Sequence, residues 1–312
     1  MKNDRIEKFL QVDGMIRASA IIATDVVEEM RTTLNSYELA TITLGRSMIG
    51  ALLMASHLKK GENVGVYFRG NGPLGAIFAE GDHTGATRAY TPFPHAELPL
   101  KDNRPDIGSG IGIGIMEVVR SSAYNNALSR GAVEIRTGQV GDDIAYYLFQ
   151  SHQIPSVVAL SVELHPDGRV RSAGGVLIEL MPGADEDIIG KIEKKVIENN
   201  KQGVNLGDMI ASGATPAQLV NQFLSDFKIV QIAHKAEVKY QCRCSLDRVK
   251  RALMLLGHQE LDELINDSKG DSQGKDAKGS HDINCDFCGR KYTLTIGEIQ
   301  EIRDKAFKNS LN

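Results

Sequence analysis

Gln241-Cys242-Arg243-Cys244-Ser245 and Asn284-Cys285-Asp286-Phe287-Cys288-Gly289 contain all four cysteines of the chain. They form two close pairs, C-x-C and C-x-x-C, with 40 residues between them. Each pair supplies two thiolates from one turn, and two such turns can close a tetrahedral zinc site. Clustered buried cysteines and permanent disulfides are the competing readings. Nothing in the sequence marks the chain as secreted, and cytosolic thiols stay reduced, so the metal reading leads. Four protein thiolates leave no open position for water or substrate, which makes a catalytic metal the wrong expectation. An i to i+2 disulfide lies near the strained end of allowed geometry but is within reach. Each pair can therefore hold metal when reduced and close on itself when oxidised.

Outward from this stretch, 312 residues are long for one core and suggest two or more units. Hydrophobic residues make up 42%, charged residues 24% and aromatics 5%, with no tryptophan. The net charge of −4 gives no pull toward a polyanion. Acidic residues Asp4 and Glu7 stand where a signal peptide would be apolar. No uninterrupted apolar run approaches the roughly 18 residues needed to span a bilayer. These features predict a cytoplasmic protein without a membrane partner.

Along the chain, 6–24 predicts two strands around Asp13-Gly14. Asp25 with Glu28 forms a capping-box pattern for a short helix. A longer helix is expected from Ser36 to about Leu58, with one apolar face on Leu39, Leu44, Met48, Leu52 and Ala55. Residues 64–92 read as a hairpin and a third strand. The glycine run 108–114 lacks the Lys-Ser/Thr of a phosphate loop and is expected at a strand edge or bend. Residues 142–152 predict a helix, and 156–164 and 170–180 two strands around Pro166-Asp167-Gly168. Pro182-Gly183 closes this unit. From 185 the pattern is helical, with apolar stripes on Ile188, Ile189, Ile192, Val196 and Ile197 and on Leu219, Val220, Phe223 and Leu224. Residues 228–240 alternate as a strand leading to Cys242. Ser245 caps a helix to Leu256, and further turns follow at 260–265. Residues 267–281 are polar and unpatterned and read as a flexible insertion. A strand at 291–295 and a helix at 297–308 end the chain.

The fold class expected is α+β. A mixed α/β core with antiparallel sheets occupies 1–184, a helical linker 185–236, and a small four-cysteine zinc domain 237–312.

Val140-Gly141-Asp142-Asp143-Ile144-Ala145-Tyr146-Tyr147, Gln150-Ser151-His152-Gln153-Ile154-Pro155-Ser156, Ala173-Gly174-Gly175-Val176-Leu177-Ile178 and Leu180-Met181-Pro182-Gly183-Ala184 precede the cysteine pairs. In this order, across essentially the whole chain, they resemble the redox-regulated heat-shock holdase family, also called the 33 kDa chaperonin. The spacing between the cysteine pairs is longer than that family usually has, and 267–281 accounts for the excess. The resemblance implies an ATP-independent chaperone, not an enzyme. It would be dormant when Cys242, Cys244, Cys285 and Cys288 hold one zinc per chain. Oxidation would pair Cys242 with Cys244 and Cys285 with Cys288 and release the zinc. The C-terminal domain and linker would then loosen, exposing apolar positions such as Ile188, Ile192, Leu219 and Phe223 to unfolded client proteins. A homodimer on activation also belongs to this expectation.

A zinc-ribbon nucleic-acid binder is the alternative, resting on Arg243, Arg248, Lys250, Arg251, Arg290, Lys291, Lys305 and Lys308, but acidic residues are interspersed. No G-x-S-x-G, H-E-x-x-H or Walker motif is present. His281, four residues before Cys285, is a further possible ligand and reads more simply as a loop histidine.

Overall fold

Alternation and turn chemistry organise the first half of the chain. The computed structural model describes residues 4–122, 128–185, 187–267 and 279–310. Strands β1 (Arg5–Gln11) and β2 (Ile16–Ile22) pair antiparallel around a turn in which Gly14 takes φ +76°. Helices α1 (Thr24–Leu34) and α2 (Glu38–Ala55) follow, then β3 (Glu62–Gly70), β4 (Ala76–Asp82) and β5 (Ala86–Tyr90). The glycine run forms the short helix α3 (Ile107–Ile111) and the start of β6 (Gly114–Ser122), with Gly112 at φ +78° between them. Next come β7 (Leu128–Glu134), α4 (Val140–His152), β8 (Ser156–Leu164) and β9 (Val170–Leu180). Helices α5 (Asp187–Lys201), α6 (Leu206–Ala211) and α7 (Pro216–Leu224) lead into β10 (Ile229–Glu237) and β11 (Lys239–Tyr240). The chain continues through α8 (Leu246–Leu253), α9 (His258–Asp267), β12 (Ser280–Asn284), β13 (Lys291–Thr295) and α10 (Ile296–Ser310).

The strands form a five-stranded sheet, β10-β1-β2-β9-β8, a six-stranded sheet, β11-β5-β4-β3-β6-β7, and the β12-β13 hairpin. All pairings are antiparallel except the two-residue β11–β5 contact. The protein is α+β, as expected. The Cα packing divides it into Met1–Gln241 and Cys242–Asn312. Residues 185–236, expected to form a separate linker, pack within the first unit. The reason is the five-stranded sheet, which is apolar on both faces. Ile16, Ala18, Ala20 and Ile22 of β2 and Val176, Ile178 and Leu180 of β9 face one side. They pack with Ile192, Ile210, Leu219, Val220, Phe223 and Leu224 of α5, α6 and α7.

Helix α2 lies against β3, β4 and β5 of one sheet and β8 and β9 of the other. The sequence suggested one apolar face; in the structure sixteen of its eighteen residues are buried. Its hydroxyls serve its own backbone: Thr43 Oγ1 donates to the Leu39 carbonyl at 2.7 Å and Ser47 Oγ to that of Thr43 at 2.8 Å. Among the described residues it is the one helix long and apolar enough to cross a membrane, and 89% of that window is buried inside the protein.

Helix α1 is capped differently from expectation. Asp25 sits within its first turn, and Ala23 at the cap position makes no side-chain bond. The carboxylate comes instead from the residue just before β1: Asp4 Oδ2 accepts from Val26 N–H at 2.7 Å. Glu28, read as the partner of Asp25, pairs with Arg31 at 2.7 Å and accepts from Val170 N–H at 2.9 Å. Ile197, assigned to the apolar stripe of α5, is 52% exposed. Helix α8 stops at Leu253, three residues short of the expected end. Of the expected insertion, Asp267 ends α9 and Ser280 begins β12, while 268–278 lie outside the described residues.

Two outcomes follow for stability. A Cβ at Gly81 of β4 would stand 2.8 Å from Leu52 N and 2.9 Å from the Ala51 carbonyl carbon of α2. Gly81→Ala therefore pushes backbone against backbone, and urea unfolding should show a loss of about 1–3 kcal/mol. Burial raises the Asp4 carboxyl to about 6, against the hydrogen bonds from Val26 and Asp25 that lower it. The folded state then binds the proton more tightly than the unfolded chain. The contribution of this group to stability rises as pH falls from above 6 toward the unfolded value. Compared with Asp4→Asn, the native protein should gain in Tm between pH 7 and pH 5; parallel Tm profiles would refute this.

Candidate metal centre

The second unit has a small core. Leu253, Leu261, Ile265, Leu294, Ile299 and Ile302 are its buried apolar residues among those described. Beside this core the two cysteine pairs are presented by different local devices. Cys244 directly precedes α8, whose N-cap Ser245 Oγ accepts from Arg248 N–H at 3.3 Å. Cys285 follows β12 and opens a tight knuckle. Its carbonyl accepts from Cys288 N–H at 3.2 Å and Gly289 N–H at 2.8 Å, and its own N–H donates to the Arg290 carbonyl at 2.9 Å. Gly289 holds φ +65°, a left-handed backbone that suits glycine and turns the chain into β13.

These devices bring the four sulfurs within 4.8 Å of one another. Cys242 Sγ lies 3.6 Å from Cys285 Sγ, and Cys244 Sγ lies 3.5 Å from Cys288 Sγ. All four are free thiols and half-buried. Metal–sulfur bonds of about 2.3 Å in a tetrahedron require sulfur–sulfur edges of about 3.8 Å, so this set fits a single metal ion. His281 stays outside the set; it lies on β12, paired across the hairpin with Leu294.

The electrostatics of the cluster point the same way. Burial pushes the Cys244 thiol up, but hydrogen bonds from Tyr292 and the three other thiols outweigh it and bring Cys244 to about 7. Burial raises Cys285 and takes Cys288 to about 12. One thiolate thus forms readily, while Cys285 and Cys288 resist ionising beside it. A bound dication removes that conflict by supplying the opposite charge to all four. Tyr292 on β13 was not singled out by sequence reasoning. Its hydroxyl donates to Cys244 Sγ at 3.1 Å, and only the hairpin register brings it there.

Two of the basic residues of this unit are engaged by acidic partners. Lys250 pairs with Glu298 at 2.9 Å and Lys291 with Asp282 at 2.6 Å. The predicted apolar contact residues belong to the first unit. Ile192 and Leu219 are fully buried, Phe223 is buried and Ile188 is partly buried, all against the five-stranded sheet.

With this geometry in view, the comparisons are decisive. A family model described as Hsp33 protein matches residues 4–295. The chain belongs to the Hsp33 family. Relatives named 33 kDa chaperonin include one from Thermodesulfovibrio yellowstonii, 33% identical and covering 95% of this chain and 98% of its own. Another, from Bacillus velezensis, is 33% identical with coverage of 97% and 99%. A Synechococcus relative is 35% identical, covering 96% of this chain and 90% of its own. The crystal structure of the 33 kDa chaperonin from Thermotoga maritima superposes with a TM-score of 0.81 at 27% identity, over 98% of this chain and 99% of that one. As an Hsp33 chaperone the chain has unfolded proteins as its class of partner, and its relatives are named chaperonins rather than enzymes.

Removing the Tyr292 hydroxyl tests the sulfur environment. Tyr292→Phe should weaken metal affinity, measured by chelator competition, by roughly tenfold or more. The loss should grow as pH falls, because Cys244 then ionises at higher pH. Unchanged affinity across the pH range would remove the hydroxyl from the site.

Proposed function

We propose that this chain is a redox-regulated, ATP-independent holdase of the cytoplasm. The observation that carries the reading is the four-sulfur cluster beside a core of six buried apolar residues. Cys242, Cys244, Cys285 and Cys288 would hold one zinc, whose ligation free energy is folding free energy for so small a unit. The thiolate is the form that peroxide attacks, and the resulting sulfenic acid condenses with a neighbouring thiol. Closing each disulfide takes two electrons from a pair of thiolates, and with two protons from solvent these convert one hydrogen peroxide to two waters. Pairing Cys242 with Cys244 and Cys285 with Cys288 removes the thiolates that zinc needs.

On this reading residues 1–184 are the substrate-binding core, 185–236 the responsive helical segment and 237–312 the redox switch. The apolar seam of Ile188, Ile192, Leu219 and Phe223 is covered in the closed form described above. Opening it would bare both these side chains and the sheet face beneath, a contiguous apolar surface suited to unfolded clients.

Reduced, zinc-loaded protein should barely slow aggregation of a thermally unfolding client. After peroxide with mild heat, or after hypochlorite, it should suppress aggregation strongly without nucleotide, releasing one zinc per chain. Reduction with added zinc should restore the dormant form. Equal protection in the two states, or a need for ATP, would reject the proposal.

A further inference from the structure

The first unit contains a half-buried arginine, Arg46, that the chaperone reading does not use. A cavity of about 790 Å³ runs beside β8, the outer strand of the five-stranded sheet. That volume lies within the range of small-molecule sites. One wall carries Arg46 of α2 and Gln139, Gly141 and Asp142 at the start of α4. The opposite wall comes from α5, α6 and α7.

Arg46 is the one charged residue of α2 beyond its first position. A guanidinium has five N–H donors. Among the described residues this one makes a single hydrogen bond, from Nη1 to Gln139 Oε1 at a long 3.4 Å. Its Nε is buried without a partner. Glu163 and Asp142 act on it through space, yet neither approaches closely enough for an ion pair. Glu163 is instead engaged by Asn205 Nδ2 at 3.2 Å. Burial pushes the Arg46 guanidinium down from its ordinary value, as expected for a cation short of compensation. A second guanidinium, the exposed Arg104, lines the same cavity. Helix α4 has thirteen residues, and its N-cap Gln139 makes no side-chain capping bond; acidic Asp142 and Asp143 stand in its first turn, and Asp142, Glu163 and Asp208 line the cavity beside the two guanidiniums.

We propose that this cavity binds a small organic oxyanion, its phosphoryl or carboxylate group held by Arg46 and Arg104 at the start of α4. A planar guanidinium presents paired donors that match either group. The bound molecule would also meet Val196, Asn199, Asn205 and Phe223 on the far wall. It would therefore touch the sheet layer and the helices that cover it together, and stabilise the covered arrangement by mass action.

The test titrates full-length reduced protein by calorimetry with inorganic phosphate, pyrophosphate and citrate, each at matched ionic strength against chloride. Saturable one-to-one binding is expected from at least one of them, with slower amide exchange in α5, α6 and α7. Binding of the phosphates alone assigns a phosphoryl ligand, and binding of citrate alone a polycarboxylate. Arg46→Met should weaken binding by roughly tenfold or more, as loss of a charge-assisted pair does. Arg104→Gln, at an exposed position, should weaken it severalfold and serves as the deciding variant should Arg46→Met not fold. No saturable binding by any of the three anions, or affinity unchanged in the folded variants, overturns the proposal.

Discussion

Four thiols crowded within 4.8 Å cannot all ionise without a cation among them. That constraint governs the second unit. Among the described residues its core has six buried apolar side chains, few for a unit of this length. The knuckle at Cys285 and the cap at Ser245 pre-shape the two turns locally. On the proposed reading a metal ion would be the shared charge partner that favours their convergence, so stability and redox chemistry would reside in the same atoms.

The first unit answers to a different constraint. Helix α2 is buried almost throughout between two sheets, and the five-stranded sheet is apolar on both faces. Its outer face must be covered, and α5, α6 and α7 supply the cover with one apolar side each. That cover borders a polar cavity in which the Nε of Arg46 is buried without a partner.

Much of this was legible in the sequence. The C-x-C and C-x-x-C spacing marked the sulfur set, and the apolar stripe on Leu219, Val220, Phe223 and Leu224 marked the buried face of α7. Pro166-Asp167-Gly168 placed the β8–β9 turn correctly. What was not legible depends on tertiary context. A carboxylate twenty-two residues away caps α1, because β1 delivers Asp4 to a helix end that local sequence assigned to Asp25. The all-round burial of α2 cannot be read from periodicity when small and hydroxylated residues face the second sheet. Tyr292 meets Cys244 only through strand register. That the helices after 184 pack on the sheet formed before it, within Met1–Gln241, is likewise a matter of tertiary context.

The cross-pair sulfur contacts also matter for chain topology. Cys242 and Cys285 are 43 positions apart and Cys244 and Cys288 are 44 apart, yet these are the contacts of 3.6 and 3.5 Å. Disulfides closed within each pair enclose rings too short to restrict the unfolded chain appreciably. Disulfides closed between the pairs would each enclose more than forty residues and restrain the unfolded chain by about 4 kcal/mol in the loop-entropy description. The same four atoms and the same number of electrons can therefore yield a freed segment or a permanent staple. On the proposed reading the metal-loaded cluster would be a removable tie around forty residues of chain, which oxidation within pairs would untie and oxidation between pairs would knot shut.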